Sequence, residues 1–150
     1  MSRINLVPPK NLIDVHLLAE HREIKRICFL YNRKLLSNNF DDIPDSYRFG
    51  QGHMVFFINK GAFTFCRYNN LYTECRMRGF NVQNYSSNWY IYKDEHFKAW
   101  KPSIADIMLS QGRILMRLPR STKMLKYYRK TITYEQAANQ ILGGVNAKRL

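Results

Sequence analysis

Residues 12–36 read LIDVHLLAEHREIKRICFLYNRKLL, and this stretch decides the fold. Ile13, Leu17, Ile24, Cys28, Tyr31 and Leu35 recur at steps of three, four or seven, the period of one helix face. The spacing predicts a single long helix with one apolar seam. Upstream, Pro8 and Pro9 bias residues 2–10 toward extended backbone. Asn11 is then placed to cap the helix, and Asp14 to complement its positive end. Downstream, SNNFDDIPDS at 37–46 holds the Asn, Asp, Pro and Ser of a loop.

Further along, HMVFFIN (53–59) is one apolar run with no evident sheet partner, so it reads as a buried turn entering a second helix. That helix is expected from about Gly61 to Arg78, with Phe63, Cys66, Leu71 and Cys75 inward and Gly79 as its stop. Residues 80–100 are irregular. Pro102 and Ser103 open a third helix that Pro119 ends near Leu118. The basic, aromatic PRSTKMLKYYRK (119–130) leads to a short helical tail, YEQAANQIL (134–142). The expected architecture is all-α: one compact domain over 1–150, three main helices, an extended N-terminal segment and long loops.

The chain of 150 residues is long enough for one real core. Its 24 Lys plus Arg against 11 Asp plus Glu give a formal charge of +13, and with 10 Tyr and 9 Phe this is a folded domain rather than a basic tail. Such a surface suits nucleic acid, an anionic membrane or an acidic protein. The membrane is disfavoured because the cations spread over three helices and no apolar run reaches the roughly 18 residues of a span. Cys28, Cys66 and Cys75 have no metal-type or CxxC spacing, and an odd count argues against a disulfide framework. They read as buried thiols in a reducing compartment, hence a cytoplasmic protein. His16, His21, His53 and His96 form no metal-ligand pattern, so no cofactor is expected.

On a helical wheel, Arg22, Arg26 and Arg33 form a basic stripe, and His16, Glu20 and Glu23 fall between it and the apolar seam. Either glutamate could be a surface ion-pair partner. A carboxylate among phosphate-binding arginines repels phosphate, however, and it is also what stabilises an oxocarbenium-like sugar. The N-terminus adds a second reactive group. Removal of Met1 leaves Ser2 with an α-amine of ordinary pKa near ~7.7–8.0, partly neutral at pH 7 where lysine is not. Nearby arginines would lower it further, favouring imine chemistry. On residues alone, the plainer reading is that Ser2–Leu6 only packs on the helix.

The segments MSRINLVP, HLLAEHREIKR, GHMVFF, ECRMRGFN, SQGRILMR and KYYRK occur in this order over about residues 2–132. In them the chain resembles the phage and algal-virus pyrimidine-dimer DNA glycosylase/AP lyases, the UV endonucleases of the phage endonuclease V type. The resemblance implies excision of UV-induced pyrimidine dimers and cleavage of the abasic strand by β-elimination. The α-amine of Ser2 would be the nucleophile and Glu23 the essential carboxylate. It also implies DNA contacts at Arg3, His16, Glu20, Arg22, Arg26, Arg113, Arg117, Lys126 and Tyr127. The implied partner is damaged double-stranded DNA, bound by a monomer that bends it and everts a base. The chain departs from the family's usual residues at Val15, His21 and Met124, and residues 133–150 extend beyond its usual end. The alternative readings are a non-catalytic or repurposed basic DNA-binding protein and a glycosylase/AP lyase of altered lesion specificity.

Overall fold

The computed structural model describes residues 3–149, with side chains through residue 143. Six helices carry the fold among the described residues: α1 (Asp14–Glu23), α2 (Arg26–Ser37), α3 (His53–Phe56), α4 (Gly61–Met77), α5 (Ile104–Met116) and α6 (Tyr134–Arg149). A small hairpin of β1 (Lys126–Tyr127) and β2 (Lys130–Thr131) completes it, with Lys126 opposite Thr131 and Tyr127 opposite Lys130. The all-α expectation holds. No helix among the described residues is long and apolar enough to cross a membrane.

The expected long helix is two helices joined by a tightened turn. Ile24 and Lys25 keep helical dihedrals, yet the Ile27 and Cys28 amides bond only three residues back, to the Ile24 and Lys25 carbonyls. In such a 3-10 turn, residues three apart eclipse. Here this stacks Ile24 over Ile27, both fully buried. The seam survives the step: Ile13, Leu17, Ile24, Cys28 and Tyr31 are buried, and only Leu35 is half-buried.

Three local expectations are corrected. The helix starts at Asp14, with Ile13 in the cap position and no side-chain cap. Asn11 instead closes a 3-10 turn, Pro9–Asn11, and its Nδ2 donates to the Gln140 carbonyl of α6 at 2.6 Å. Pro9 opens that turn, where a missing N–H costs nothing, so the extended segment ends at Pro8. On α4 the buried face runs Thr64, Arg67, Tyr68, Leu71, Glu74, Cys75, while Phe63 is half-buried and Cys66 is exposed. The polar members of that face hide its phase from a hydrophobicity reading. Thus only Cys28 and Cys75 are buried thiols, and burial pushes them up to about 12 and about 11.

Ser103 and Asp106 cap α5 reciprocally, and Thr133 and Gln136 do the same for α6. α6 lies on α5, where Gln111 Nε2 donates to the Ile141 carbonyl at 3.1 Å. The β1–β2 reversal passes through Tyr128 and Arg129, whose φ of 51° and 66° fit the two-residue turns that suit antiparallel strands. Non-glycine residues are uncommon there. The Asp14 carboxylate offsets this cost by accepting the Tyr128 and Arg129 amides at 3.0 and 2.7 Å. The same carboxylate accepts from Arg78 Nη1 at 2.9 Å, and Arg78 Nε donates to Glu74 at 2.8 Å.

Candidate active site

The N-terminal segment is the least expected structural feature, because it is buried without a sheet partner. Arg3, Ile4, Leu6 and Val7 are all buried. A buried extended backbone leaves N–H and C=O groups that need partners. They are supplied by side chains from different helices. The Ile4 amide donates to His53 Nε2 of α3 at 3.0 Å, and the Asn5 amide to Glu20 Oε2 of α1 at 3.3 Å. The Leu6 amide donates to Ser110 Oγ of α5 at 2.9 Å, and the Val7 carbonyl accepts from Arg67 Nη1 of α4. Each bond fixes one step of register.

Where this segment enters the protein, a cavity of ≈ 80 Å³ is lined by Arg3, Asn5, His16, Ala19, Glu20, Glu23, Arg113, Ile114 and Arg117. Six of the residues singled out from the sequence therefore meet here: Arg3, His16, Glu20, Glu23, Arg113 and Arg117. They come from the N-terminal segment, from one face of α1, and from α5 with the residue after it. Burial, then the neighbouring Arg117 and Arg113, holds Arg3 below its ordinary pKa. Arg3 and Arg113 also lie over the Phe49 ring, at 6.0 and 5.7 Å. Three guanidinium groups on one small cavity give a site of strongly positive potential.

The two glutamates differ sharply. Glu20 is almost fully buried; Arg67 grips it through Nε at 2.8 Å and Nη2 at 2.9 Å, and Asn5 Nδ2 adds a third bond at 2.7 Å. Its lone pairs are committed to protein, so its place at the site is as an anchor for Asn5. Glu23 has a side chain 34% exposed, and its ion pair is a loose one to Arg22 at 3.9 Å. Its carboxylate is open to a ligand. His16 Nε2 donates to the Arg117 carbonyl at 3.2 Å, and burial holds the imidazole below its ordinary value. That bond fixes a proton on Nε2.

Beside the cavity, and sharing Glu23 with it, a groove of ≈ 590 Å³ is lined by Arg22, Lys25, Arg26, Cys28, Phe29, Asn32, Asn88 and Ile91. Its volume lies within the range of small-ligand sites. Arg22 and Arg26 thus belong to this second compartment. Lys126 and Tyr127 line neither. Tyr127 covers the buried Arg78, 4.5 Å from its guanidinium carbon, and its hydroxyl donates to the Lys10 carbonyl. Lys126 is exposed on β1.

Ser2 lies outside the described residues, as does Met1. Sequence reasoning overlooked Asn5, Ala19 and Ile114 in the wall and His53, Arg67 and Ser110 behind it. The signal for several was present: Asn5 sits in MSRINLVP, His53 in GHMVFF and Ser110 in SQGRILMR, three segments whose residues converge on one backbone strand. A family model for pyrimidine dimer DNA glycosylase matches residues 1–87, which include the whole N-terminal segment, α1 with Glu23, and His53. More than half of the chain is covered, and the matched part holds the open carboxylate and the cation beside it; the chain belongs to the pyrimidine dimer DNA glycosylase family, a family of DNA-repair enzymes.

Proposed function

We propose that the protein is a bifunctional glycosylase/AP lyase that acts on damaged double-stranded DNA as a monomer, with the Ser2 α-amine as nucleophile. The observation that carries this reading is the open Glu23 carboxylate in a cavity walled by Arg3, Arg113 and Arg117. Covalent geometry keeps residue 2 within about 3.8 Å of Arg3, Cα to Cα. A guanidinium neighbour such as Arg3 lowers an amine's pKa by like-charge repulsion, so the neutral fraction at pH 7 rises.

In the first step the neutral amine attacks C1′ of the lesion nucleotide and the C1′–N glycosidic bond breaks. The proton lost by the amine goes to the departing base. Glu23 faces the positive charge that develops on the sugar, a role a carboxylate performs in glycosidic chemistry. The C1′–O4′ bond then opens to an iminium, with a proton delivered to O4′. Loss of a C2′ proton expels the 3′ phosphate by β-elimination, and water hydrolyses the imine to release the enzyme. Glu23 is the candidate relay for these protons.

The adjacent groove supports the reading in a second way. Phe29 and Ile91 offer apolar faces, Asn32 and Asn88 offer amides, and Arg22 and Arg26 stand at its edge. A base turned out of the duplex needs that combination. Replacing Glu23 by Gln is expected to keep DNA binding within a few-fold while removing glycosylase turnover. Filter binding and single-turnover base release on UV-irradiated duplex check this; unchanged turnover would make the carboxylate structural.

A further inference from the structure

His53 is buried, carries no role in the chemistry above, and makes two bonds that demand opposite things of its two nitrogens. Nδ1 faces the Arg48 carbonyl at 2.8 Å, which can only accept, so Nδ1 carries the proton. Nε2 receives the Ile4 amide at 3.0 Å, so Nε2 must be bare. Together the two bonds specify a neutral imidazole of one tautomer.

We infer that His53 is a positioning residue for the N-terminal amine: its bare Nε2 fixes the register of the strand two residues beyond Ser2. This rests on the proposed use of that amine. Glu20 and Ser110 take the next two amides, those of Asn5 and Leu6. The packing is tight. Tyr47, Phe49 and Phe57 surround the ring at 5.6, 5.9 and 5.5 Å. The charged groups that face it are Arg3 from the strand, Glu20 from α1 and Arg113 from α5, and Arg48 accepts through its backbone.

Protonating Nε2 would put a donor against the Ile4 donor, break the bond and release the start of the strand. Burial first, and then Arg3 and Arg113, hold the imidazole below its ordinary value and oppose that protonation at neutral pH. Acid would therefore slow attack by two routes, protonation of the amine and loss of its register.

The test compares two substitutions. Glutamine reaches as far as Nε2 and can accept from Ile4. Asparagine reaches only as far as Nδ1 and keeps the Arg48 bond alone. Imine formation is read by borohydride trapping on a duplex with a single abasic site, with duplex affinity measured in parallel. His53→Asn is expected to slow trapping by about 100-fold, the scale of a misplacement near 1 Å, with affinity within a few-fold. His53→Gln is expected to recover at least tenfold of that, and to flatten the part of the acid limb that belongs to the ring. Equal rates for the two variants, or parallel losses of rate and affinity, would overturn the inference. An N-acetylated wild-type control separates the two claims. If it still traps DNA, the amine reading has failed; if it does not, and His53→Asn traps at the wild-type rate, only the inference has failed.

Discussion

Glu20 and Glu23 are the same residue type, three apart on one helix, and their environments assign them opposite work. Glu20 has all its partners inside the protein, from Arg67 and Asn5. Breaking such a buried pair by removing one partner typically costs about 3–5 kcal/mol, because the other charge is stranded. Glu20→Ala is expected to lower the urea-unfolding free energy by about that much, whereas Glu23→Gln should shift it by only ~0.5 kcal/mol. Equal shifts in the urea midpoint would erase the distinction. The histidines give a second expectation at this level. His16, His21 and His53 are all held below 6.5, chiefly by burial. As pH falls from 7 through 6.5 the unfolded chain takes up protons that the native state refuses, so stability falls with acid and levels off below the native values. Urea titrations at stepped pH should show that slope, reduced in His53→Gln; a stability that rises toward pH 5 would contradict it.

The helices were largely readable because their signals are local. Period, caps and stop residues place α4 and α5 within a residue or two, and the Ser103–Asp106 cap is the one the sequence advertises. The extended N-terminal segment was readable from its prolines, but its burial and the KYYRK hairpin were not, because what holds them is distant in sequence. Ile4, Leu6 and Val7 bond to partners 49, 104 and 60 residues away, and no propensity encodes that. Asp14 shows the same limit. Its place in the first turn suits the helix dipole, but its larger task is to hold Tyr128, Arg129 and Arg78 together. Tyr127, for which the resemblance implies a DNA contact, has its ring over Arg78 in the same latch. Asp14→Asn keeps one acceptor and should retain most of the hairpin; Asp14→Ala should release it, with faster amide exchange at Tyr128 and Arg129 and a loss of about 3 kcal/mol. Unchanged exchange in Asp14→Ala would remove Asp14 from the latch. The candidate site was legible as a set of residues, since six of them share one cavity, but not as a geometry. The split between cavity and groove depends on how α1, α5 and the Ser86–Ile91 turn approach one another.

The molecule as a whole is a cation of +13 whose open carboxylate sits where its arginines converge. Affinity for duplex should therefore fall steeply with salt, by about 0.9 logarithmic units per logarithm of salt for each phosphate neutralised. Replacing Arg113 or Arg117 by Gln should reduce that slope by about one unit each; a slope unchanged in both variants would place the phosphates elsewhere. The fold uses four helices and a buried ion pair to fix Ile4–Val7 beside the cavity that Arg3 lines. That expenditure makes chemical sense if the amine at the chain's start is the reacting group. The direct test is to trap the protein on abasic duplex with borohydride, digest the adduct and locate the DNA-derived mass by peptide mapping. The account predicts the mass on the α-nitrogen of Ser2, and no adduct from protein that is N-acetylated or retains Met1. An adduct on a lysine side chain, or equal trapping by the blocked protein, would contradict it.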